Sequence, residues 1–145
     1  GIIHLPAMKE TYRACRGSGA FCNNAPVRVS QTASLNTAMG SALGYIEKDR
    51  GAEAGRLIGL MNQCGYMYGF MDAYSYGCIA AGRLDFCANL CDKAWDCAAA
   101  ACIVTEAGGR YSDIAGNENI HNGSFVISNG ILHDRLIHIL NGGQP

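Results

Sequence analysis

From Ala94 to Gly109 the chain reads Ala-Trp-Asp-Cys-Ala-Ala-Ala-Ala-Cys-Ile-Val-Thr-Glu-Ala-Gly-Gly, the pattern of a helix with almost no polar face. A helix that is apolar all round has to be buried, and small residues along it let neighbouring elements approach closely. The fold must therefore hold this segment inside. Gly108-Gly109 ends it, because glycine readily takes the left-handed conformation that closes a helix. One carboxylate, Asp96, opens it. That group can serve the helix start, capping free amides or meeting the dipole. It can equally act as an oxygen ligand for a hard cation such as Mg²⁺. The segment alone leaves both roles open.

The elements around it alternate in type. Thr11–Cys15, Ala20–Cys22 and Val27–Ser30 read as short strands, separated by Gly17-Ser18-Gly19 and by the turn signal Asn23-Asn24. This antiparallel ribbon carries little core of its own, so its strands are expected to pair with others outside the chain or with a second copy. Helical spacing follows over Ala52–Cys64, with Gly65 as its stop, and over Asp72–Ala81, closed by Gly82. Leu84–Cys87, Arg110–Asp113 and Ser124–Ile127 read as strands, and Ile131–Leu140 as a final amphipathic helix. Strands alternating with helices predict an α/β layer. Residues 1–35 are expected to form a remnant of an antiparallel sheet, and residues 36–145 a C-terminal α/β domain.

Size and charge narrow the function. A chain of 145 residues with 49% hydrophobic and 16% charged residues can bury a real core and is not a disordered tail. A net charge of −1, with no two basic residues adjacent, gives no footprint for nucleic acid or an anionic membrane. No apolar run reaches the roughly 18 to 20 residues of a membrane span. The eight cysteines form no Cys-x-x-Cys pair, so reduced thiols in a cytoplasmic protein are the expectation. The chain starts at Gly1, with no Met and no basic segment before its first apolar run. It is expected to be the downstream part of something longer, or a processed product. His121, His133 and His138 are expected at the surface, and no Ser/His/Asp or P-loop pattern is present.

The Trp95-Asp96-x-Ala98-Ala99…Glu106-Ala107-Gly108-Gly109 pattern resembles the second signature of the inositol monophosphatase family. The resemblance extends to Gly1-Ile2-Ile3 through Pro6, to Glu10–Ala14, to Gly17-Ser18-Gly19-Ala20-Phe21 with Val27–Ser30, and to Val126-Ile127-Ser128-Asn129. It is weakest from 36 to 68. It implies the C-terminal part of a layered αβαβα sandwich with part of an antiparallel sheet, and a Mg²⁺-dependent phosphomonoesterase acting on a small phosphorylated substrate. Asp96 matches a metal ligand of the family, and the start of its helix matches a phosphate-contacting segment that includes Trp95 and Cys97. Glu106 belongs to the same signature and is expected to be structural. The family's other metal carboxylates come from a glutamate motif and an Asp-Pro-Ile/Val-Asp-Gly-Thr motif, neither of which occurs here. The chain alone is therefore expected to bind Mg²⁺ weakly and hydrolyse little.

Substrate choice rests on two positions. Asn89 matches a glutamate that contacts sugar hydroxyls in the inositol-specific branch, so inositol specificity is in doubt. Met71-Asp72-Ala73-Tyr74-Ser75-Tyr76-Gly77 is similar to the Gly-Asp-x-Tyr-x-Tyr region of the histidinol-phosphate phosphatase branch, with Met71 in place of glycine. A carboxylate at Asp72 suits a substrate amine, although a helix N-cap is its plainer role. These residues imply hydrolysis of histidinol phosphate or an inositol monophosphate-like ester. The alternative is a truncated, non-catalytic relative serving as a binding or self-assembling module, a homo-oligomer joined through uncovered strand edges.

Overall fold

The computed structural model describes residues 1–45, 51–69 and 72–143. Its first sheet is a meander of β1 (Ile2–Leu5), β2 (Glu10–Ala14), β3 (Ala20–Cys22) and β4 (Ala25–Val27), all antiparallel in the order β1-β2-β3-β4. The strands expected to need outside partners thus pair with one another, in register from Ile2↔Arg13 to Cys22↔Ala25. The last strand ends at Val27 and does not run on to Ser30.

The second sheet holds β5 (Met39–Leu43), β6 (Tyr66–Tyr68), β7 (Phe86–Asn89), β8 (Arg110–Ser112) and β9 (Phe125–Ser128), in the order β6-β5-β7-β9-β8. β5 runs parallel to β6 and β7, and β9 runs antiparallel to β7 and β8. Helices α1 (Gly51–Met61) and α4 (His133–Leu140) cover one face through Leu57, Leu60, Leu136 and Leu140. Helices α2 (Asp72–Ala80) and α3 (Ala94–Glu106) cover the other, where Tyr76, Ile79, Ile103 and Val104 meet Cys87, Phe125 and Ile127. The first sheet packs on the far side of α2 and α3 through Ile3, Tyr12 and Ala20. Four layers result, β-α-β-α, with the apolar helix of the opening motif between the two sheets.

Local chemistry explains the close packing. Gly77 lies where α2 passes Tyr12, and a Cβ there would stand 2.7 Å from the Tyr12 ring. Gly108 takes φ +94° and closes α3 as its position in the sequence requires. Glu106, in the last turn of α3, accepts hydrogen bonds from the Gly17 and Gly19 amides at 2.8 Å each. These amides hold its carboxyl below the usual range. The signature glutamate therefore anchors the β2–β3 turn to α3. Arg83, after α2, makes a salt bridge of 2.7 Å with Glu10 and also donates to Tyr12, tying the same sheet down from a second point.

Candidate functional site

β5 and β7 run parallel and finish together, with Leu43 opposite Asn89. In open α/β sheets the carboxyl ends of the parallel strands form the crevice where ligands bind. Here that end faces the first turns of α2 and α3, and the residues singled out from sequence converge on it.

Asp96 is exposed, in the first turn of α3. Its carboxylate accepts the Lys93 amide at 3.0 Å, while the Asp96 amide donates back to the Lys93 carbonyl at 2.9 Å. Its role at the helix start is real, and its exposure leaves room for another. Trp95 beside it is 80% exposed, an unusual setting for an indole on a helix that is otherwise packed. Asp72 is the first residue of α2, exposed, with φ 52°. Left-handed backbone at a residue other than glycine costs about 1 kcal/mol or more and gathers at functional sites. Met71, which stands in place of a glycine, lies outside the described residues.

Asn89 and Cys97 are buried beneath these groups. Both turn toward a residue that the sequence did not single out, Asp92, itself only 4% exposed. The Asp92 carboxylate accepts hydrogen bonds from the Tyr76 hydroxyl, the Asn89 amide and, at 3.6 Å, the Cys97 thiol. The Asn89 carbonyl oxygen in turn accepts the Cys91 amide at 3.0 Å and its thiol at 3.1 Å. Burial pushes the Asp92 carboxyl above its usual range, the Tyr76 and Cys97 bonds oppose the shift, and the charges of Asp96 and Asp72 add to it. Burial also raises the Cys87 thiol, with Asp92 and Asp72 contributing. The electrostatics thus gather Asp72, Asp92 and Asp96 at one end of β7. Asp92 has no sequence signal of its own, since a lone aspartate after a strand looks like turn chemistry.

A complete Mg²⁺ site is a different matter. Mg²⁺ wants near-octahedral oxygen coordination and keeps several waters. Among the described residues, no three His, Cys, Asp or Glu side chains group so as to hold a metal ion. The donor set does not fit a closed cation site; it offers the Asp96 carboxylate at the rim.

His133 departs from expectation. It is 1% exposed rather than at the surface, sharing hydrogen bonds with Ser128 at 2.9 Å and Ser112 at 3.0 Å. Burial, helped by Arg110, lowers its pKa to about 4. It lies at the opposite end of the sheet from Asp96. All eight cysteines are free thiols, with Cys78, Cys87 and Cys97 buried. Among the described residues, no helix is long and apolar enough to cross a membrane.

The layered β-α-β-α fold gathers acidic residues near the carboxyl ends of its parallel strands. Comparison gives the family. The sequence matches the model of the inositol monophosphatase family over residues 1–144. It is 35% identical over 147 residues to the fructose-1,6-bisphosphatase/inositol-1-monophosphatase of Thermotoga maritima, covering 97% of this chain and 54% of that protein. It is 34% identical over 151 residues to a histidinol-phosphatase of Mycobacterium tuberculosis, covering 99% of this chain and 57% of that protein. The crystal structure of the extragenic suppressor protein suhB from Bartonella henselae superimposes with a TM-score of 0.91 at 29% identity, over 99% of this chain and 57% of that one. The chain belongs to the inositol monophosphatase family. It spans about half the length of the relatives it matches.

Proposed function

We propose that this chain supplies the C-terminal half of a Mg²⁺-dependent phosphomonoesterase that hydrolyses a small phosphate monoester, with Asp96 as one metal ligand. The observation that carries the reading is the exposed Asp96 carboxylate in the first turn of α3, beside an exposed Trp95 and free of the buried network below it. The family is generally Mg²⁺-dependent. Cations in such phosphatases hold phosphate oxygens and activate water. The first turn of α3 adds amide donors and a favourable dipole for a phosphate. Asn89 and Cys97 contribute from beneath, through Asp92, while Asp72, Trp95 and Asp96 face the substrate. An amine-bearing substrate such as histidinol phosphate is favoured over a neutral polyol. Asp72 places a negative charge at the rim, Asn89 carries none, and several relatives at 33–35% identity are histidinol-phosphatases. The division at residue 35, with a remnant sheet before it, and self-association through a free strand edge belong to the same proposal. β1 is the better edge, because Pro26 removes an amide donor from β4.

The test is phosphate release from histidinol phosphate and from inositol monophosphate in millimolar Mg²⁺. It is run on this chain alone and on a chimera in which it replaces the matching part of the Thermotoga relative. The chain alone should turn over little. The chimera should be active, prefer histidinol phosphate, and lose activity about a hundredfold or more on Asp96→Asn. Turnover that survives this substitution would remove Asp96 from the metal site, and a chimera silent on both esters would count against the phosphatase reading.

A further inference from the structure

Three elements carry the groups of the candidate site, and one buried side chain touches all three. Asp72 is on α2, Asn89 ends β7 and Asp96 is on α3. Asp92 receives Tyr76 from α2, one turn beyond Asp72. It receives Asn89 from the end of β7. It receives Cys97 from α3, the residue after Asp96. A carboxylate has about four acceptor positions, and these three donors fill most of them from three directions. Among the described residues the other buried aspartates make no such junction. Asp85 binds the Ser30 hydroxyl and the Met39 amide, and Asp113 binds the amides of its own loop.

We propose that Asp92 is a positioning residue, the junction that holds the first turns of α2 and α3 at the spacing the site requires and so fixes Asp72 relative to Asp96. The proposal rests on the phosphatase reading for its consequence in catalysis, and on geometry alone for the junction. An amide replaces this carboxylate only in part. In Asp92→Asn, an oxygen aimed at Tyr76 and Cys97 leaves the new amino group facing the Asn89 amino group, donor against donor. Asn89 cannot turn over to relieve this, because its oxygen is held by the Cys91 amide. In the flipped orientation the new amino group donates to the Tyr76 hydroxyl and leaves the hydroxyl proton without its acceptor. Exchanging the two residues restores the complement. In Asn89→Asp/Asp92→Asn the carboxylate at 89 accepts from both the Cys91 amide and the amide at 92, whose oxygen faces Tyr76 and Cys97.

The experiment is amide hydrogen exchange on the chain as it stands, for the wild type, Asp92→Asn and the exchanged double variant. Asp92→Asn should speed exchange in the first turns of α2 and α3 about tenfold, leave β5 and β9 protected, and be largely reversed in the double variant. Unchanged exchange at both helix starts overturns the junction. Uniform loss of protection across both sheets also overturns it, since that is general destabilisation. In the active chimera, Asp92→Asn should raise KM for histidinol phosphate about tenfold and lower kcat as the first turn of α3 shifts Asp96, and the exchanged double variant should reverse both. Unchanged KM overturns the role in positioning. A chimera with no turnover in the wild type defeats the phosphatase reading instead, and the exchange data then decide the junction by themselves.

Discussion

β7 carries a buried aspartate just before it and another just after it, and the two do different work. Asp85 precedes the strand and is 2% exposed. It accepts the Met39 amide at 2.7 Å and the Ser30 hydroxyl. Asn129 reaches the same place, donating to the Ser30 hydroxyl at 3.0 Å and the Thr32 carbonyl at 2.8 Å. This end mixes backbone groups with the Ser30 and Asn129 side chains, and it pins the segment joining the two sheets. Asp92 follows the strand and binds side chains only, from β7 and from α2 and α3, whose first turns carry the exposed Asp72 and Asp96. The contrast teaches that burial of a charge does not by itself mark a site. The origin of the donors separates the two: Asp85 joins a strand amide and a linker hydroxyl, whereas Asp92 joins side chains of the elements that carry Asp72 and Asp96.

Asp85→Ala tests the architectural end most severely. It leaves the half-buried Met39 amide and Ser30 hydroxyl without the charged acceptor that each was bonded to. Bonds of that kind are worth about 1.5–3 kcal/mol apiece, so a loss of about 4 kcal/mol is expected in urea unfolding. A loss under 1 kcal/mol would erase the contrast with Asp92.

Acid distinguishes the two ends by sign. His133, beside Ser128 at the architectural end, has its pKa lowered to about 4 from an ordinary 6.5. Unfolding therefore takes up a proton that the folded protein resists. Stability should be full above pH 6.5 and fall as pH drops from 6.5 to about 4, by about 3 kcal/mol in all. Asp92 acts oppositely. Its raised pKa means the folded state takes the proton more readily, so protonation in the acid range favours folding. Unfolding free energies between pH 4 and pH 7, for the wild type and His133→Leu, should fall more steeply in the former, the variant keeping only the loss from carboxyls such as Glu106 that the fold holds ionised. An identical slope in both would place the acid sensitivity elsewhere.

The smallest stability effect sharpens the comparison most. Asp96→Asn keeps an oxygen for the Lys93 amide and gives up only charge at the helix start. It should cost about 0.5 kcal/mol or less in thermal unfolding, despite the large loss of turnover expected in the chimera. A cost near that of Asp85→Ala would make Asp96 architectural as well.

Much of the frame was legible because its signals are local. Gly82 and Gly108, both with positive φ, end helices where glycine after an apolar run says they should. The Trp-Asp and Glu-Ala-Gly-Gly residues carry the family resemblance within one helix and its cap. β5 escaped notice for a physical reason. Met-Gly-Ser-Ala-Leu is a parallel strand covered on both faces, so it lacks the alternation that marks a half-buried strand. Its small residues are there for neighbours. A Cβ on Gly40 would stand 2.9 Å from the Met67 sulfur and run into the Phe86 ring. β7 was read two residues early, at Leu84–Cys87, because Asp85 sits within the apolar run and Asn89 looks like a turn. His133 and Asp92 were missed because their partners lie on other elements. Ser112 is 21 residues from His133 and Tyr76 is 16 from Asp92, distances no sequence window spans.

Glu106 has a mechanical consequence. α3 has 13 residues and is about 20 Å long. Its first turn presents Asp96, and its last turn grips the β2–β3 hairpin through the Gly17 and Gly19 amides. It is a strut fastened at one end to the outer sheet and at the other to the site. A push or pull on that hairpin, from whatever docks against the outer sheet, travels down a stiff rod to Asp96. The hairpin tip is therefore a handle on the site and a poor place to insert a tag.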